Sequence, residues 1–178
     1  MRVSIHRAGA RLLVVGMLLL ILLGIGGAIA PVSQAAVQRL EEAPGQVLYQ
    51  SRQKLRDGNG HTWQAIAFKR IQATGEPSVK LRLVGFPGEV ELRHPQPLKI
   101  LLAQGNVLTA ADVSAEPFTD QHPAGHIGQY DLTPVIDQLP AFFQIALVLT
   151  AVDGTEIRLG VSPLALHEWQ DVAAARDL

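Results

Sequence analysis

The chain has 178 residues, 48% of them hydrophobic and 17% charged, with a formal charge of −1 and no cysteine. The absence of cysteine excludes a disulfide framework, a thiolate metal site and a lipid-modified cysteine behind a leader. No basic stripe or aromatic-studded basic strand occurs, which excludes a surface built to track a phosphate backbone.

Arg2, Arg7 and Arg11 precede an unbroken apolar run over residues 12–30, and Val32-Ser33-Gln34-Ala35-Ala36 follows Pro31. A basic start, an apolar core and small residues at the exit compose a secretory leader, with Ser33 and Ala35 placed for a cut ahead of Ala36. Nineteen apolar residues are also enough for one membrane span, which needs roughly twenty. Gly24, Gly26 and Gly27 weaken the far end as a helix, and Pro31 closes it, so cleavage is favoured. Residues 1–35 are thus expected to be a signal peptide or, uncleaved, a single anchor touching the membrane through residues 12–30. In both cases the remainder faces an extracytoplasmic compartment. Three of the fifteen basic residues lie in the leader and all sixteen acidic residues beyond it, leaving twelve against sixteen and a net −4 on residues 36–178.

Residues 36–45 look like a linker, because Glu41-Glu42-Ala43-Pro44-Gly45 breaks any helix. Residues 46–178 then read as a single β-rich domain, long enough for an ordinary core without covalent staples. Over 46–56, Val47, Tyr49 and Leu55 share one parity and Arg52, Lys54 and Arg56 the other. Asp57-Gly58-Asn59-Gly60 supplies hairpin-turn chemistry, and residues 63–71 return as a strand. Residues 79–84 alternate cleanly, as do 89–93, and Gly85-Phe86-Pro87-Gly88 joins them. A hairpin across that loop would set Val84 opposite Glu89 and Arg82 opposite Glu91.

Residues 98–103 form another apolar segment, after which residues 109–128, with Pro117, Pro123, Gly125 and Gly128, read as a long loop with room for short strands. Thr133-Pro134 resembles an N-cap and first helical residue of a short helix through Leu139. Residues 142–152 are apolar on both faces and fit a central strand; Asp153-Gly154 is a two-residue turn, and 155–161 alternates, setting Leu159 opposite Val148. Ser162-Pro163 caps a terminal helix whose Leu166, Trp169, Val172 and Ala173 share a face. The fold class expected is mainly β, an antiparallel β-sandwich or half-open barrel with a short internal helix and a C-terminal helix.

Reactive patterns are absent: no G-x-S-x-G elbow, Walker loop, H-E-x-x-H or EF-hand occurs. No catalytic residue and no cofactor-binding residue is assigned. The polar cluster to weigh is Asp120, His122 and His126, with Tyr130 and Asp131 after it. Imidazole nitrogen and carboxylate oxygen suit a divalent metal. Pro123 and Gly125 keep the two histidines off one helical face, so a loop carrying ordinary histidines is the plainer reading. Ser51, Ser78, Ser114 and Ser162 lack a context that implies a neighbouring base. The pairs Glu89 with Glu91 and Asp112 with Glu116 suit a wet strand face better than glycoside chemistry. Trp63 and Trp169 read as core anchors.

Residues 40–52, Trp63-Gln64, Phe68-Lys69, residues 81–88, Gly128-Gln129-Tyr130-Asp131 and His167-Glu168-Trp169-Gln170 together resemble a cyanobacterial family of exported proteins of unknown function, over nearly the whole mature chain. The resemblance implies a periplasmic or thylakoid-lumenal address and brings no activity or cofactor. Two functions are carried forward. One is a noncatalytic binding or accessory domain docking on a membrane-associated or envelope protein complex, without nucleic acid. The other is a small-ligand or metal-binding domain, with a hydrolase as one form of it, using the 109–128 loop.

Overall fold

Strands in this chain are set by side chains that alternate between an apolar interior and water. The computed structural model describes residues 37–72, 76–117 and 124–176. The leader and linker start, Asp120 and His122 lie outside the described residues. Nine strands are described: β1 (Gln38–Ala43), β2 (Gln46–Arg56), β3 (Thr62–Gln72), β4 (Val79–Val84), β5 (Leu98–Leu101), β6 (Val107–Asp112), β7 (Ile127–Asp131), β8 (Ile145–Thr150) and β9 (Glu156–Val161). With one α-helix, α1 (Pro163–Ala174), and a single 3-10 turn at Ile136–Gln138, the fold is mostly β, as the alternation implied.

The strands make one open antiparallel sheet in the order β1-β2-β3-β4-β7-β6-β5-β8-β9. β6 is its corner: residues 107–110 pair with β5, while only Ala111 and Asp112 pair with β7. The sheet curls at that corner far enough to bring β9 near β2. Its concave face buries Trp63, Leu81 and Leu83 from one half and Leu98, Ile100, Leu147 and Leu159 from the other, all fully buried. Leu166 and Trp169 of α1 join the same core, each contributing roughly 1.5–3 kcal/mol by leaving water. Ser162 caps α1 through a hydrogen bond from the Ala165 N–H at 3.3 Å, with Pro163 in the first turn. Among the described residues no helix is long and apolar enough to cross a membrane.

The register departs from expectation at identifiable places. Residues 38–43, read as linker, form β1, an edge strand exposed on both faces and turned into β2 at Pro44-Gly45. Its QRLEEA sequence lacks alternation because neither face is covered. Arg70 on β3 reaches across β2 to clamp Glu42 at 2.5 and 3.0 Å, an exposed pair worth at most about 1 kcal/mol. β4 does not pair with residues 89–93. It pairs with β3 and β7, so Arg82 faces Ile66 and Gln129, and Val84 faces Gln64 and Ile127. Leu92 alone makes a bridge, with Ala151.

Leu159 lies opposite Leu147, and Val148 opposite Arg158. The turn accounts for that one-residue slip. Ala151 and Thr155 close a loop of three residues, with Gly154 at φ +88°, the type I turn plus left-handed glycine of a bulged hairpin. The β2–β3 hairpin uses the same device, with Gly60 at φ +88°. Of the long loop expected over 109–128, residues 109–112 belong to β6 and 127–128 to β7. Thr133 caps nothing; its hydroxyl accepts a hydrogen bond from the Val79 N–H at 3.0 Å, and the expected helix shrinks to the 3-10 turn at Ile136–Gln138.

Candidate functional site

A shaped surface surrounds the loop after β4. Gly85 lays its backbone flat on the buried Trp63 indole: a Cβ there would stand 3.2 Å from two ring atoms. The Gly85 N–H donates to the His126 carbonyl at 2.9 Å, tying the loop to the approach of β7. Phe86-Pro87-Gly88-Glu89 then reverses direction, with Glu89 N–H on the Phe86 carbonyl at 3.2 Å and Gly88 at φ +83°. Proline followed by left-handed glycine is the signature of a type II turn. This holds Phe86 out from the core, 59% exposed.

Two clefts flank that loop. One, of about 640 Å³, is lined by the apolar side chains of Trp63, Val84, Phe86 and Pro87 and by Arg52, Lys54 and His126. The other, of about 420 Å³, is bordered by Asp57, His61, Glu89, Glu91 and Asp153. Lysine and arginine are absent from the second lining, and aspartate and glutamate from the first. The loop therefore separates a cationic from an anionic surface.

Asp57 belongs to the hairpin rather than to solvent. Its Oδ1 accepts from the Asn59 and His61 N–H groups, each at 2.9 Å, and its Oδ2 meets His61 Nδ1 at 3.0 Å and Trp63 Nε1 at 3.3 Å. Burial pushes its pKa up, but these hydrogen bonds more than offset it and hold the carboxyl below the usual range.

A second polar cluster joins His94, Asp112 and Ser114. Asp112 Oδ2 accepts from His94 Nδ1 at 2.8 Å and from the Gln96 N–H at 3.0 Å; Oδ1 accepts from the Ser114 N–H at 2.9 Å and from its hydroxyl. Ser114 Oγ in turn accepts from the Gln129 N–H at 2.9 Å. A catalytic triad sets the imidazole between hydroxyl and carboxylate. Here the carboxylate is the hub, and the serine proton points at it. The cluster ties the 94–96 and 113–114 segments to β7. Burial raises the Asp112 pKa and the hydrogen bonds from Ser114, Gln96 and His94 outweigh it, leaving it lowered. Tyr130, buried beside it, has its hydroxyl pKa pushed well up by burial and then by the Asp112 charge.

The residues singled out from sequence scatter. His126 lies on the cationic cleft. Asp120 and His122 fall outside the described residues, and among the described ones no three histidines, aspartates or glutamates gather as metal ligands. Asp112 and Glu116 part company, since Glu116 pairs with Lys80. Glu89 and Glu91 border the anionic cleft together. Ser51, fully buried, donates to Glu168 Oε2 at 2.5 Å, and Gln53 donates to the same oxygen at 2.7 Å. Trp63 and Trp169 are fully buried core residues. Sequence reasoning missed His94 and the seating of Glu168, both of which depend on partners from distant strands.

Residues 35–172 match the model of a family described as a protein of unknown function, DUF3122. No curated protein and no solved structure matches the chain.

Proposed function

Since the chain belongs to the DUF3122 family of unknown function, we propose from its own surface that it is an exported, noncatalytic accessory domain of a cyanobacterial envelope or thylakoid lumen. It acts by gripping a partner protein at the cleft beside Phe86. The apolar run over residues 12–30 supports the extracytoplasmic address. The observation that carries the binding role is Phe86 itself, 59% exposed on a loop locked by Gly85 and a type II turn. An exposed aromatic side chain beside apolar neighbours and edged by charge is how interfaces concentrate their affinity. Arg52, Lys54 and His126 in the cleft lining suit an extended partner segment that places acidic residues beside an apolar side chain.

Affinity capture from solubilised membranes tests this with the wild-type chain and with Phe86→Asp and Lys54→Glu. A protein retained by the wild type and lost by both variants supports the proposal. Recovery of the bait alone, or of the same protein with all three baits, overturns it.

His126 on the cleft wall favours one second reading, a small-ligand or metal site suited to hydrolase chemistry, completed by Asp120 and His122. Elemental analysis of untagged protein decides it: bound metal that disappears in the His122→Ala/His126→Ala double variant supports it, and protein free of metal ends it.

A further inference from the structure

Arg82 is a half-buried cation on the outer face of the sheet. Its Nε and Nη2 both donate to Gln129 Oε1, at 3.0 and 2.7 Å, and its guanidinium carbon stands 5.4 Å from the centroid of the Phe68 ring. Gln129 is 2% exposed, and the backbone at that position is held by Ser114. The plane of the guanidinium is therefore fixed from two sides. Both neighbouring cations have carboxylates: Arg70 pairs with Glu42 and Lys80 with Glu116. No carboxylate among the described residues pairs with Arg82.

A guanidinium carries five N–H donors in a rigid fork. Gln129 occupies the Nε–Nη2 edge, and among the described residues no acceptor is recorded on the Nη1–Nη2 edge. Arg82 borders a cavity of about 310 Å³ that is also lined by Arg70, Lys80, Ser78 and Gln129, with Glu76 and Glu116 among the remaining lining residues. That volume is at the small end of ligand pockets, which run from roughly 300 to 1,000 Å³.

We propose that this cavity binds a small carboxylate, held bidentately on the Nη1–Nη2 edge of Arg82 with the Ser78 hydroxyl beside it. Planar carboxylate matches the fork geometry, and the two glutamates in the lining disfavour multiply charged phosphate. Burial and then the charge of Arg70 both disfavour the charged form of Arg82, and a carboxylate on its free edge would offset both.

The test is a titration of the full chain in detergent with sodium acetate, sodium phosphate or sodium chloride at matched ionic strength. It is followed by the nuclear magnetic resonance signals of the Arg82 Nε–H and of the backbone amides of residues 78–82. Saturable acetate shifts, at least tenfold weaker in Arg82→Lys, are expected, because lysine keeps the charge and loses the fork. Ser78→Glu, which sets a carboxylate in the cavity without touching Arg82, is expected to abolish saturation as well and serves if Arg82→Lys does not fold. The proposal is overturned if acetate produces no more than chloride does. It is equally overturned if phosphate binds more tightly than acetate, or if folded variants bind acetate as the wild type does.

Discussion

Replacing Glu168 with alanine removes the carboxylate on which α1 is seated against β2. Glu168 is 8% exposed and Ser51 fully buried, and the two bonds to Oε2 are 2.5 Å from Ser51 and 2.7 Å from Gln53. Hydrogen bonds to a charged group are worth about 1.5–3 kcal/mol each, and a buried hydroxyl stripped of its partner costs about 1–3 kcal/mol. Gln53 is half-buried and can turn to water, so its share is recovered in part. Alanine also gains a few tenths of a kcal/mol in helix propensity. The expected net loss is about 2–4 kcal/mol, a large part of a total that for a domain is about 5–15 kcal/mol. Urea unfolding followed by tryptophan fluorescence reads it directly, since Trp63 and Trp169 are both fully buried. With a slope of about 2 kcal/mol/M the midpoint falls by about 1–2 M. Ser51→Ala added to Glu168→Ala should then cost little more, because both remove the same bond. A midpoint unchanged within about 0.2 M, equivalent to some 0.4 kcal/mol, would refute the seating role.

Asp57 and Asp112 both have folded pKa values held below normal. Their contribution is therefore complete above the unfolded value near 3.9 and disappears as pH falls from there through the folded values. Urea midpoints should drop between pH 5 and pH 3, and Asp112→Asn, weaker already at pH 7, should show a smaller further drop; an equal or steeper one contradicts the assignment. Gly85→Ala should cost about 1–3 kcal/mol by overpacking, with a shift in Trp63 emission, because its Cβ would come within 3.2 Å of a fully buried ring; an unshifted spectrum and an unchanged midpoint argue that the loop can lift. Intact-mass measurement of the exported chain should give an amino terminus at Ala36, whereas retention of Met1 would make residues 12–30 an anchor.

The β2–β3 hairpin and the cap of α1 were legible because their signals are local. Asp57-Gly58-Asn59-Gly60 and Ser162-Pro163 carry their geometry in neighbouring residues, and both are found where expected. Alternation along Val79, Leu81 and Leu83 announced a buried face correctly. It says which way side chains point and nothing about which strand lies alongside, so the pairing of β4 with β7 was out of reach. The slip at Leu159 came from counting a two-residue turn where glycine at the third position builds a three-residue one. Glu168 is a similar case: it sits beside the Ala165 and Val172 stripe on α1, and the donors Ser51 and Gln53 brought to it by β2 make burial of a carboxylate tolerable. The candidate cleft was invisible for the same reason, since Lys54, Phe86 and His126 come from three separate segments.

The order of strands also dictates when the domain can become secure. Threaded amino end first through a translocation channel, as the proposed export requires, β1 to β4 can form a meander at once. The free rung of β4 is covered by β7, which arrives only after β5 and β6 have gone by. Until then β4 keeps an unpaired edge, and a bare strand edge invites proteases and the edges of other emerging chains. The inner edge of β5 likewise waits for β8, so the sheet has no safe stopping point short of Thr150, and a chain halted midway is a target for clearance rather than a smaller version of the domain.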